Sequence, residues 1–247
     1  MEERACGNCG TLMAGEFCHA CGQRRVEKVE LLKMMREGIR RFLDLDTGVL
    51  HTMRDLSSRP GAVSREYLAG TRKIYVNPLK YCFVVVTIFA LAINFLNVST
   101  STAIGLEFDQ EERQIFRIVY GVMPYLIFVM LLPVSWVQKR LFRSYGYTFA
   151  ETYVFSLFTV GHMTWLSVLL AVTGSLETPT GVAILFVAQL AYLVWAMTGF
   201  YQLARPPLVR GILVIVLSAL CTNLLGLALG NLIALLDLVE PLAESIT

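Results

Sequence analysis

Four cysteines carry the clearest chemistry in this sequence: Cys6, Cys9, Cys18 and Cys21 form C-x2-C-x8-C-x2-C in the run CGNCGTLMAGEFCHACGQ. Two paired thiolate hooks of this kind close a tetrahedral zinc site. Each hook turns tightly, and Gly10 and Gly22 follow its second cysteine, where a positive φ is often needed. So short a segment buries too little apolar surface to order itself. Bound metal would supply the folding free energy, about 10–16 kcal/mol in comparable structural sites. Two disulfides are the competing chemistry, which a reducing cytoplasm disfavours. His19 is a spare ligand that four thiolates make unnecessary, and four protein ligands leave no open position, so the expected role of zinc is structural. Cys82 and Cys221 lie in apolar runs and read as packing residues.

The second chemical feature is a pair of ionisable groups in an apolar stretch. Glu151 and His162 fall on one helical face with Phe155 and Phe158, because eleven residues at 100° each return to within about 20° of the start. A polar path through a membrane could use such a stripe. Eleven residues also rise about 16 Å, so the two side chains do not touch directly. The bland reading is a boundary carboxylate and a hydrogen-bonded core histidine.

The elements that hold these groups are mostly lipid-soluble. The chain has 247 residues, 55% hydrophobic and only 16% charged, with mean hydropathy +0.59, against roughly 25% charge in soluble domains. Apolar runs at 79–98, 115–137, 150–173, 182–203 and 208–236 are each long enough to cross a core of roughly 30 Å. The expected fold is therefore an all-α integral membrane bundle of about five transmembrane helices. It carries a zinc-ribbon head at 1–25 and a basic amphipathic neck at 26–78, with the bundle itself at 79–247. The net charge of +2 hides a strong partition. Residues 1–78 hold 13 Lys and Arg against 10 Asp and Glu, and further basic clusters are Lys139, Arg140 and Arg143, then Arg205 and Arg210. Glu107, Asp109, Glu111, Glu112 and Glu177 occupy the alternate loops. The positive-inside bias then predicts a bacterial inner-membrane protein with a cytoplasmic N-terminus and an extracytoplasmic C-terminus. The first long apolar run begins near Leu79, so no cleavable leader is read.

The neck combines apolar stripes with cations. Leu31, Leu32, Met35, Ile39 and Phe42 share a helical stripe flanked by Arg40 and Arg41. A second short helix is expected to end before Pro60, and a third to run from Pro60 and Gly61 to near Gly70. Arg59, Arg65, Arg72 and Lys73, interleaved with Tyr67 and Tyr75, suit lipid headgroups or a protein partner at the membrane face. A basic surplus of only three disfavours nucleic acid. Near the C-terminus Ser218, Thr222, Gly226 and Gly230 recur every four residues, a close-packing face inside the bundle or between subunits.

A ribbon followed by Thr52, Asp55, Leu56, Arg59-Pro60-Gly61, Glu66-Tyr67, Gly70, Arg72-Lys73, Tyr75 and Pro78 resembles an uncharacterised bacterial domain-of-unknown-function family of zinc-ribbon membrane proteins. The segment YTFAETYVFSLF at 147–158 is similar to a second signature of that family, with Thr152 and Phe158 where the family pattern has histidines. The five-span layout also resembles Yip-type proteins, a likeness of plan alone.

No Ser, His and Asp arrangement, phosphate-cradling loop or carboxylate cluster is read from the spacing. The expected function is a non-catalytic membrane adaptor or organiser whose ribbon and neck bind a cytoplasmic protein or anionic lipid. The alternative is a small transporter, channel or lipid-moving protein using Glu151 and His162.

Overall fold

The structure is a computed structural model that describes residues 4–22 except 7 and 14, 48–96, 98, 110–204 and scattered positions from 209 to 220; side chains are described from 125 onward in the helix that begins at 110. Arg40, Arg41, Ser218, Thr222, Gly226 and Gly230 lie outside the described residues, as does the amphipathic stripe of the neck.

The head is a two-stranded antiparallel ribbon, β1 (Arg4–Ala5) against β2 (Leu12–Met13), with Arg4 opposite Met13 and Ala5 opposite Leu12. Among the described residues six α-helices follow: α1 (Gly48–Ser58), α2 (Pro60–Ala69), α3 (Pro78–Leu96), α4 (Gln110–Leu141), α5 (Phe149–Val172) and α6 (Pro179–Tyr201).

Local chemistry explains where each begins and ends. Pro60 starts α2, where its fixed φ suits a first turn. Gly70 ends it at φ 118, its N–H reaching the carbonyls of Glu66 and Tyr67. Asn77 Oδ1 accepts from the Leu79 N–H at 2.9 Å as α3 begins. Thr148 and Glu151 form a reciprocal capping box at the head of α5. Thr178 caps α6 by accepting from the Gly181 N–H at 3.0 Å, with Pro179 in the first turn. Helix α4 runs through both Pro124 and Pro133 without a break in its assignment.

Helices α3, α5 and α6 are long and apolar enough to cross a membrane. α5 and α6 form an antiparallel hairpin: His162 stacks on Tyr192 at 5.2 Å between ring centroids, and Phe155 on Phe200 at 4.4 Å. The first half of α5 is enclosed on all sides, with Val154, Phe155, Leu157 and Phe158 fully buried. Part of that enclosure comes from the neck. Leu56 of α1 and Val63 of α2 are fully buried beside Tyr81, Val85 and Phe158. A Cβ placed on Gly61 would lie 2.2 Å from Phe200 N and 2.4 Å from the Gly199 carbonyl carbon, so α2 and α6 meet backbone to backbone. Cys82 is buried and lies against Gly161, where a Cβ would come within 3.0 Å of its Cα. A polar seam joins α4 to α5: Ser135 Oγ donates to Ser156 Oγ at 3.0 Å, and Ser156 reaches Gln138 Oε1 at 3.1 Å.

Candidate functional site

The head gathers its four thiols. The Sγ atoms of Cys6, Cys9, Cys18 and Cys21 all lie within 4.8 Å of one another and could hold a metal ion. Cys6 and Cys21 are 3.7 Å apart, Cys9 and Cys18 3.5 Å, and none is in a disulfide. The two hooks are alike in backbone: Gly10 N–H donates to Cys6 O and Gly22 N–H to Cys18 O, both at 2.8 Å. Gly10 and Gly22 hold φ of +75° and +70°, which only glycine adopts without penalty. Bonds with the side chain and backbone of Thr11 pull the Cys9 thiol down to about 6, so it is readily a thiolate. Cys6, Cys18 and Met13 form a small buried core, while Leu12 is 58% and Phe17 61% exposed. The head meets the neck where the Lys73 ammonium donates to the Cys21 carbonyl.

The basic residues before α3 are placed by specific partners. Arg59 donates to Asp55 Oδ2 at 2.7 Å, to Glu66 Oε1 at 2.5 Å and to the Tyr75 hydroxyl at 2.9 Å. That hydroxyl also lies 2.9 Å from Asp55 Oδ2 and 2.6 Å from Glu66 Oε2, and its single proton serves one carboxylate at a time. Burial alone would raise the Asp55 carboxyl, but the hydrogen bonds from Arg59 and Tyr75 and the guanidinium charge outweigh it and hold the group below its ordinary value. Tyr75 is pushed up, first by burial and then by its bond to Glu66. Arg72 lies over the Tyr67 ring at 5.6 Å. Arg65 is half-buried on α2. Thr52 Oγ1 accepts the Val76 N–H at 3.1 Å, tying α1 to the turn segment that leads into α3. The cluster is a clamp that pins α1, α2 and the start of α3 together.

Glu151 and His162 are not brought together. Glu151 Oε2 accepts from the Thr148 N–H at 2.8 Å and from its hydroxyl at 3.0 Å, the work of a capping carboxylate. His162 Nδ1 lies 2.9 Å from the Tyr81 hydroxyl and Nε2 3.2 Å from Ser57 Oγ, which itself donates to the Met53 carbonyl at 2.9 Å. These distances fit one direction of donation, from Tyr81 to His162 to Ser57 to Met53. His162 therefore joins α1, α3 and α5, and also lines a cavity of about 590 Å³ with Met53, Trp165, Leu166, Ala188 and Tyr192. Sequence spacing did not reveal Ser57 or Tyr81, which stand 105 and 81 positions from His162. Asp55 four residues before Arg59 was the visible signal for the clamp, as a helical i,i+4 pair.

Fold and site thus define a helical bundle, apolar enough for a membrane, that carries a cysteine head able to hold a metal. Residues 46–90, which contain α1, α2, the clamp and the first part of α3, match the family model described as protein of unknown function DUF3667. No characterised protein and no solved structure matched the chain.

Proposed function

We propose that the chain is a non-catalytic membrane adaptor: a five-span bundle in the bacterial inner membrane whose cytoplasmic head, folded around one zinc ion, captures a protein partner. The observation that carries this reading is the head itself, four converging thiols beneath exposed Leu12 and Phe17. Zinc fits the donor set. With Zn–S near 2.3 Å, a tetrahedron has sulfur-to-sulfur edges of about 3.8 Å, and across the two hooks Cys6 and Cys21 stand at 3.7 Å and Cys9 and Cys18 at 3.5 Å. When bound, the metal supplies the folding free energy that three small buried side chains cannot. Phe17 and Leu12 stand exposed on that head, and an exposed aromatic of this kind is enriched at protein interfaces. Arg59, with both carboxylates beside it, serves the clamp, so partner recognition falls to the head rather than to that guanidinium.

The test is photo-crosslinking in cells from a reactive residue placed at Phe17. A discrete protein adduct is expected, and it should vanish in the Cys18→Ser, Cys21→Ser double variant while the protein still fractionates with membranes. An adduct that survives the double substitution, or no adduct from either Phe17 or Leu12, refutes the adaptor reading.

A further inference from the structure

The second cysteine hook meets the neck through one peptide group. The Gly22 N–H donates to the Cys18 carbonyl at 2.8 Å and so closes the turn that brings the Cys18 and Cys21 thiols within 4.8 Å of each other. The carbonyl of that same peptide, on Cys21, accepts from the Lys73 ammonium, 52 positions along the chain. The peptide is trans, so its N–H and C=O point to opposite sides, one into the hook and the other at the neck. Lys73 lies directly against the turn: a Cβ built on Gly22 would stand 3.6 Å from its Nζ.

Lys73 is itself exposed, but its loop is fixed from behind. The Thr71 N–H donates to the Glu66 carbonyl at 2.9 Å and the Arg72 N–H to the Gly70 carbonyl at 2.8 Å. Arg72 lies over Tyr67, and Tyr75 belongs to the clamp with Arg59, Asp55 and Glu66. Lys73 therefore joins a cysteine hook to a loop that is locked onto α1, α2 and the start of α3.

Two physical effects tie this contact to metal. Four thiolates around one divalent ion leave a net negative charge, which an ammonium on the backbone of a ligand residue partly offsets. The hook also keeps its shape only while Cys18 and Cys21 share an ion, so the Cys21 carbonyl is aimed at Lys73 in the loaded head alone. Linkage makes the two events reciprocal: the factor by which metal favours docking is the factor by which docking favours metal retention.

We propose that Lys73 is a metal-dependent latch, a positioning residue that docks the loaded head on the neck and slows loss of the ion from the hook of Cys18 and Cys21. The latch rests on the zinc-headed adaptor reading and adds its regulation: a loaded head is presented in one orientation on the neck, and an empty one is released from it.

The experiment uses the full chain in detergent, loaded with zinc under reducing conditions. Zinc transfer to a chromogenic chelator should be about fivefold faster in Lys73→Ala, the effect of one modest hydrogen bond. Lys73→Arg should return the rate close to that of the parent, while the bundles of all three proteins melt alike. Acetylation of Lys73 in the parent, read by mass spectrometry against Lys139 as internal reference, should be slower in loaded than in chelated protein by about the same factor. That arm needs no substitution, so it holds even where a variant misfolds. Zinc release unmoved by Lys73→Ala, release still fast in Lys73→Arg, or acetylation of Lys73 indifferent to metal overturns the latch and leaves the zinc head standing. A full chain that takes up no zinc overturns the zinc-headed reading and the latch with it.

Discussion

Replacing Gly61 by alanine tests the backbone contact that fixes the neck on the bundle. The new methyl carbon would meet Phe200 N at 2.2 Å, the Gly199 carbonyl carbon at 2.4 Å and the Ala196 carbonyl oxygen at 2.5 Å, all main-chain atoms that no rotamer change can move aside. Ordinary contact begins at 3.4 Å, so α2 and α6 must part by at least 1.2 Å, the difference between 3.4 and 2.2 Å. Parting them loosens Phe200 from Phe155 and Tyr147, whose rings it stacks at 4.4 Å each. Overpacking of this kind costs about 1–3 kcal/mol, and the clash with backbone places Gly61→Ala at the upper end, partly offset by up to about 1 kcal/mol of helix propensity. A net loss of about 2 kcal/mol lowers the melting temperature by about 4–8 °C in a chain of this size. The control is Gly199→Ala, whose Cβ would meet Gly61 Cα at 3.3 Å and needs only a few tenths of an ångström, a change of under about 1 kcal/mol. Tryptophan-fluorescence melts of the detergent-solubilised proteins read both. Gly61→Ala melting within a degree of the parent, or Gly199→Ala proving the more damaging, refutes the close crossing.

Tyr75→Phe removes the hydroxyl that Arg59, Asp55 and Glu66 share, and should cost about 1–2 kcal/mol in chemical denaturation, with no change in membrane insertion. Asp55 has a folded pKa below its ordinary value, so in the window between the two the unfolded chain holds more protons and stability rises with pH. Its contribution is complete above the ordinary carboxylate value of about 3.9 and disappears as pH falls through the lower folded value, so melting temperatures should drop below about pH 4, and Asp55→Asn should flatten that drop. His162→Ala breaks the join between Tyr81 and Ser57 and should cost about 2–4 kcal/mol, read as earlier proteolysis between α1 and α3. A chelator should expose the head to protease at residues 4–22 while the helical signal of the bundle persists.

Much of this arrangement was legible where chemistry is local. The hooks declared their turns through Gly10 and Gly22, both found at positive φ, and Pro60 and Gly70 bracket α2 as punctuation should. The box at Thr148 and Glu151 was equally local, a T-x-x-E signature, yet the apolar surroundings drew attention to a membrane role for Glu151 instead of the cap it forms. Arg59 shows where composition stops informing. Cations before an apolar run suit headgroups in general, but the partner Tyr75 lies 16 positions away across a helix break, where no periodicity reports it. His162 was legible as a hydrogen-bonded core histidine, though not which residues would bond it, because Ser57 and Tyr81 come from different helices. For the neck, packing on the bundle and lying on lipid were both readable from the amphipathic pattern, but the contact itself was not, since Gly61 gives no hydrophobic signal and acts only by lacking a side chain.

The head is the centre of the account, and its metal content is the most direct measure of it. Full-length protein purified under reducing conditions without added metal should carry one zinc per chain by inductively coupled plasma mass spectrometry, and the Cys18→Ser, Cys21→Ser variant should carry none while its bundle melts as the parent does. Metal-free protein with four freely titrating thiols at Cys6, Cys9, Cys18 and Cys21 would contradict it.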